Sequence, residues 1–215
     1  MKRASRTPPA WPAAESAPAR CDAKWRASIL REAGALGVPG DYAHVRGLRL
    51  QREPAGLACI GPDIHGRMQW LAPRAARAFA RMREAAARDG IELQVVSAFR
   101  SADYQLGILR RKLERGQDIA AILRVSAAPG YSEHHSGRAL DLTAPGCEPL
   151  EESFESSPAF AWLVAHAGRF GFALSYPRGN PHAIAYEPWH WCWHAAGSER
   201  ARRCARDSGS LPETG

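Results

Sequence analysis

No run of about 18 apolar residues occurs in this 215-residue chain, so nothing in it reads as a membrane-spanning helix. None of its five cysteines (Cys21, Cys59, Cys147, Cys192 and Cys204) stands in a C-x-x-C pair, which excludes a structural zinc ribbon on spacing. Their odd number leaves the redox compartment open, with a Cys21–Cys59 pair as one arrangement. There is no G-x-S-x-G elbow and no cysteine in a catalytic family context, which sets aside serine and cysteine nucleophiles. Internal repeats, a second domain and nucleic-acid-binding motifs are absent too. Met1-Lys2-Arg3 starts like a secretory signal, but prolines 8, 9, 12 and 18 break the segment that follows, and it has no apolar stretch. No export signal is readable, so the sequence by itself points to the cytoplasm.

The chain does have the means to build one core: 45% hydrophobic and 24% charged residues suit a single globular domain. The net charge is 29 − 22 = +7. It is spread along the chain, and Arg74, Arg77, Arg81, Arg83 and Arg88 read as the solvated face of one helix. Residues 1–20, rich in proline and alanine, read as a disordered arm dispensable for chemistry. Residues 201–215 end in Leu211-Pro212-Glu213-Thr214-Gly215, which is similar to a sortase recognition signal and is read as an appended tag. The domain is assigned to residues 21–200, and a monomer is expected.

Within it, Asp22 is expected to cap a helix carrying Trp25, Ile29 and Leu36, and Pro73 to open an alanine-rich helix with Phe79, Met82 and Ala86 inward. Ile91–Val96 reads as a strand that delivers Arg100 at its edge. Ser101 caps a helix with Tyr104, Ile108, Leu109 and Leu113 facing inward, and a short helix spans Asp118–Val125. Ala139–Leu142 is a short strand. Ser157-Pro158 starts a helix burying Phe160, Leu163, Val164 and Ala167, and strands follow at Phe172–Tyr176 and within Ile184–Trp193. This order predicts an α+β fold.

The chemistry concentrates in Ser132-Glu133-His134-His135-Ser136-Gly137-Arg138-Ala139-Leu140-Asp141 and Glu187-Pro188-Trp189-His190. A catalytic zinc takes three histidine or carboxylate ligands and keeps one position for water. His134, Asp141 and His190 can be those ligands, with His135 and His194 as rivals. His134 and Asp141 lie seven residues apart, so a loop must fold back to bring both to one metal. Pro188 disfavours helix at Glu187 and leaves that carboxylate placed to accept a proton from the water. On a final strand, Trp189, Trp191 and Trp193 would form a packing face opposite His190. Arg100 can meet a substrate carboxylate or a developing oxyanion.

These blocks resemble the S-x-H-x-x-G-x-A-x-D and E-P-W-H-W elements of the VanY-type D-alanyl-D-alanine carboxypeptidases. Ser97-Ala98-Phe99-Arg100-Ser101 with Gln105 is similar to a third block of that family. The resemblance implies one catalytic Zn2+ held by His134, Asp141 and His190, and Glu187 as general base and acid. It also implies substrate contacts from Arg100, Gln105 and Ser132, with Arg100 steadying the transition state and Tyr176 lining the cleft. The implied fold is α+β with a central antiparallel sheet flanked by helices and the zinc site at the sheet. The implied substrates are D-alanyl bonds of bacterial peptidoglycan stem peptides, which places the expected site of action in the periplasm or cell wall. The alternative readings are a peptidoglycan endopeptidase (lysin) and a non-catalytic zinc-bearing binding module of the same fold. Cys192 stands where the family often carries an arginine, from which an altered cleft charge is expected.

Overall fold

The computed structural model describes residues 23–195. The expected arm, the Asp22 cap, Cys21, Cys204 and the 201–215 tail lie outside the described residues. Six helices, α1 (Ala23–Ala35), α2 (Tyr42–Val45), α3 (Pro73–Arg88), α4 (Ala102–Glu114), α5 (Ile119–Arg124) and α6 (Pro158–His166), accompany six strands. The strands β1 (Ala58–Pro62) and β2 (Met68–Leu71) form an antiparallel hairpin. The strands β3 (Gln94–Ser97), β4 (Ala139–Thr143), β5 (Phe172–Leu174) and β6 (His190–Trp193) form an antiparallel sheet in the order β3-β4-β6-β5. This is the predicted α+β domain with a central antiparallel sheet. No helix among the described residues is long and apolar enough to cross a membrane.

Helix starts follow local chemistry. Pro73 sits at the first position of α3, where its missing N–H costs nothing. The Ser101 hydroxyl accepts from the Tyr104 N–H at 3.0 Å, and the Glu53 carboxylate accepts from the Ala102 N–H at 2.7 Å, so two of the orphan donors of α4 are satisfied. Asp118 and Ser157 cap α5 and α6 in the same way. The inward faces of two helices differ from the pattern expected. The buried stripe of α4 runs through Ala102, Gln105, Leu106 and Leu109; Tyr104, about 200° round the helix from Ala102, is half exposed. In α6 the stripe is Ala159, Trp162 and Leu163, and Val164 faces out.

Alternation in β4 and β6 divides the sheet into an apolar and a polar face. Leu140, Leu142 and Trp191 pack with Phe79, Met82, Phe154, Leu163 and Phe172 in the principal core under α3 and α6; Trp189 and Trp193 pack against it half-buried. Fully burying one such side chain is worth about 1.5–3 kcal/mol, which makes the register of β4 hard to slip. A second core joins α1, α4 and α5 through Ile29, Ala33, Leu106, Leu109, Ile122 and Leu123. Asp141 lies opposite His190 in the β4–β6 pairing, on the sheet face that looks toward a cavity lined by α4.

Candidate metal centre and its cavity

Three short segments converge on this polar face. The first is a single 3-10 turn, Glu133–Ser136, closed by Gly137 in the left-handed conformation at φ 63°. This is the fold-back that the spacing of His134 and Asp141 demands. The second is Asp141 in mid-β4, and the third is His190 at the start of β6. The offered ligand atoms of His134, Asp141 and His190 all lie within 4.8 Å of one another, and all three residues are buried. His134 Nε2 is 3.2 Å and His190 Nδ1 is 3.1 Å from Asp141 Oδ1. Two donors held tetrahedrally by zinc at about 2.0–2.1 Å would stand about 3.3 Å apart, which the two spacings to Asp141 match.

The outer ring nitrogens are already committed. His134 Nδ1 donates to the Ala98 carbonyl at 2.5 Å, and His190 Nε2 to Glu133 Oε2 at 3.0 Å, which leaves His134 Nε2 and His190 Nδ1 to face the metal position. Burial, reinforced by the Arg100 charge, lowers the His134 pKa to about 4 and keeps the ring neutral, the form a metal requires. Burial also acts to lower His190. Its hydrogen bonds with Asp141 and Glu133 and the charges of Asp141 and Glu187 outweigh that and push it up to about 10. Asp141 is buried too, but the two histidines and Arg100 hold it well below the ordinary carboxylate range.

The rival ligands are placed elsewhere. His135 is spent structurally: Nδ1 donates to the Arg100 carbonyl at 2.7 Å while Nε2 accepts from the Gly130 N–H at 3.2 Å. His194 lines a different pocket with Arg74, Arg77 and Arg81. Cys192 is 1% exposed and is not among the residues that line the cavity. Cys59 and Cys147 form no disulfide among the described residues, and Cys21, the pairing considered for Cys59, lies outside them.

A cavity of about 540 Å³ opens over this cluster, lined among others by Arg100, Gln105, Ser132, Tyr176 and Glu187. The ligand set His134, Asp141 and His190 and the expected substrate and proton-transfer residues therefore face one space. Glu187 Oε2 is 3.8 Å from His190 Nδ1. Burial, with the Asp141 and Glu133 charges, pushes the Glu187 pKa up to about 7 against the pull of His190 and Arg100. Arg100 was expected at a strand edge. It lies three residues past the end of β3, in the connection to α4, with one guanidinium nitrogen 3.9 Å from Asp141 Oδ2. Gln105 donates to the Ser126 hydroxyl at 2.8 Å, while its own carbonyl oxygen is buried with no hydrogen-bond partner among the described residues; the same holds for Arg100 Nε.

Three contributors were not foreseen. Lys112 lines the cavity seven residues after Gln105, two helical turns along the same face of α4, a spacing that could have flagged it. Glu133 stands beside His134, yet its contact with His190 is set only by the fold. The hairpin β1–β2 supports the cluster from behind. Asp63, at its turn, accepts from the Gln69 amide at 2.9 Å; the Gln69 carbonyl accepts from the Ala98 N–H at 3.1 Å, and the Ala98 carbonyl in turn holds His134.

Comparison with known proteins places this arrangement. The family model described as "VanY: D-alanyl-D-alanine carboxypeptidase" matches residues 68–196. YodJ of Bacillus subtilis (strain 168) is 35% identical over 163 residues, covering 71% of this chain and 55% of YodJ. The chain spans about half the length of the curated relatives it matches, or less. Among solved structures, the LdcB LD-carboxypeptidase is similar with a TM-score of 0.63 and 29% identity, over 72% of this chain and 75% of that one. VanYB in complex with D-alanine-D-alanine has a TM-score of 0.54 and 25% identity, over 70% and 82%.

Proposed function

Because the chain belongs to the VanY family of D-alanyl-D-alanine carboxypeptidases, we propose that it is a zinc-dependent peptidase that hydrolyses D-Ala-D-Ala or related D-amino-acid bonds of peptidoglycan stem peptides. One observation carries the reading: the convergent donors of His134, Asp141 and His190 share a cavity with a carboxylate, Glu187, whose pKa is pushed up to about 7. A zinc ion held by those three residues would polarise the scissile carbonyl and acidify a water.

The chain's own groups supply the rest. Glu187 accepts the proton of the attacking water at a carboxylate oxygen and returns it to the departing amine; a pKa near the working pH suits both transfers. Arg100 faces the oxyanion that develops on attack, and its buried Nε has a hydrogen bond left to give. Gln105 lines the cavity, and its carbonyl oxygen has a hydrogen bond left to accept from a substrate N–H. Arg100 and Lys112 make one wall of the cavity cationic, which suits the terminal carboxylate of an exopeptidase substrate. Burial and the Arg100 charge lower the Lys112 pKa.

The similarity to LdcB favours a second reading, an L,D preference. The full-length chain, loaded with zinc, is incubated with a free stem pentapeptide ending in D-Ala-D-Ala, with the tetrapeptide, and with purified sacculi, and the products are weighed. Loss of one terminal D-alanine from the pentapeptide is expected. Loss from the tetrapeptide alone supports the L,D reading, internal cuts indicate an endopeptidase, and no hydrolysis of any of them refutes the peptidase.

A further inference from the structure

We propose that Glu133 is a positioning residue: its carboxylate, clamped by Ser175, fixes the tautomer and the ring orientation of His190 so that Nδ1 is presented to the metal. This rests on the reading of His134, Asp141 and His190 as zinc ligands. Glu133 Oε2 lies 3.0 Å from His190 Nε2, and the Ser175 hydroxyl donates to the same oxygen at 2.5 Å. Ser175 is anchored in turn, because its backbone N–H donates to the His190 carbonyl at 3.3 Å. Glu133, His190 and Ser175 thus close a hydrogen-bonded ring at the junction of the 3-10 turn, β6 and the end of β5.

Packing alone does not choose the nitrogen. The His190 ring contacts the tilted Tyr176 ring, 4.8 Å away between centroids, and the edge-on His134 ring at 4.9 Å. These neighbours confine the ring plane but carry no preference for which nitrogen is protonated. Each ring nitrogen has a carboxylate oxygen near it, Asp141 Oδ1 at 3.1 Å from Nδ1 and Glu133 Oε2 at 3.0 Å from Nε2; with Asp141 and Nδ1 both given to the metal, the acceptor at Nε2 holds the one remaining ring proton and leaves the Nδ1 lone pair directed at the cluster. The two histidines are served differently: His134 has a neutral carbonyl as its acceptor, His190 a carboxylate, which makes the His190 imidazole the stronger electron donor.

The test compares zinc affinity, by competition with a chromophoric chelator, for the full wild-type chain and for Glu133→Ala, Glu133→Gln and Ser175→Ala. It also follows the His190 Nε2–H resonance of each zinc-loaded protein by 1H–15N NMR. Glu133→Ala is expected to lose about 10–100-fold in affinity and to lose the Nε2–H signal to solvent exchange. Glu133→Gln keeps an oxygen acceptor and is expected to recover most of both, which a failure to fold would not mimic. Ser175→Ala should fall between wild type and Glu133→Ala. Wild-type affinity with an unmoved resonance in Glu133→Ala overturns the proposal. A Gln variant as weak as Ala overturns it too, since charge alone would then be at work. A wild-type chain that binds no zinc overturns both this inference and the metal reading beneath it.

Discussion

Gly137→Ala is the substitution whose cost the structure allows to be worked out most directly. Gly137 sits at φ 63°, ψ 23°, between the turn that carries His134 and the strand that carries Asp141. Holding an L-residue there costs about 1–2 kcal/mol. The new Cβ would also stand 2.9 Å from the Ala72 backbone nitrogen and 3.2 Å from both Leu57 Cδ2 and Pro54 Cγ. Backbone cannot swing aside, and the Ala72 N–H already donates to the Gly137 carbonyl at 2.7 Å, so the clash adds an overpacking penalty of about 1–3 kcal/mol. Restricting the unfolded chain returns about 0.4–1 kcal/mol. The net loss is about 2–4 kcal/mol, or a fall in Tm of about 4–16 °C for a domain of this size. Gly146 is the control: it has a similar φ of 82° with nothing within 4 Å of a Cβ, so Gly146→Ala isolates the conformational cost. Thermal unfolding at fixed zinc concentration should rank wild type above Gly146→Ala and Gly146→Ala above Gly137→Ala. If the two variants melt together, close approach to Ala72 is not what requires glycine in the motif.

Three further outcomes follow from the site and its support. Glu187→Gln should keep zinc, measured by metal content, and lower kcat on a D-Ala-D-Ala peptide by about 10²–10⁴-fold; activity at the wild-type level would remove Glu187 from the proton transfers. Zinc at about a hundred times its Kd should raise stability over the chelator-treated protein by about 2.7 kcal/mol, read as a Tm shift that saturates with zinc, and an unchanged Tm would count against a folded-state metal site. Asp63 tests the hairpin: burial raises its pKa, but hydrogen bonds from the Arg67 and His65 N–H groups and the Arg67 side chain outweigh this and hold it below its usual value. A depressed folded pKa stabilises above the unfolded pKa of about 3.9 and ceases to as pH falls through the folded value. The stability gap between wild type and Asp63→Asn, from urea unfolding, should therefore be widest near neutrality and shrink below about pH 4; a pH-independent gap would refute it.

Much of the fold is written in local chemistry. Pro73, Ser101, Asp118 and Ser157 mark helix starts because a cap is a contact with the next turn of the same chain, and the α+β order follows from where those helices fall among the strands. Tyr104 and Val164 show the limit: periodicity identifies a stripe, but which way the helix is rotated depends on the elements it packs against. The hairpin β1–β2 escaped notice because Gly61 and Pro62 interrupt its strand pattern, and only pairing with Met68–Leu71 makes it a strand.

The site divides in the same way. The residue types needed to hold and use a zinc ion are legible as motifs, since histidine, aspartate and glutamate at those spacings have few other joint uses, and the membership in the VanY family rests on the same blocks. Which of the neighbouring histidines faces the cluster is a tertiary decision. His135 differs from His134 only by pointing at the Arg100 carbonyl, a direction fixed by the segment that leaves β3. The burial that pushes Glu187 up to about 7, and the acceptor that Glu133 offers to a histidine 57 residues away, arise only when the 3-10 turn, β4 and β6 are brought to one face of the sheet. Sequence determined the chemistry available to this protein; folding decided which atoms meet, because hydrogen bonding and desolvation act over a few ångströms that no spacing along the chain encodes.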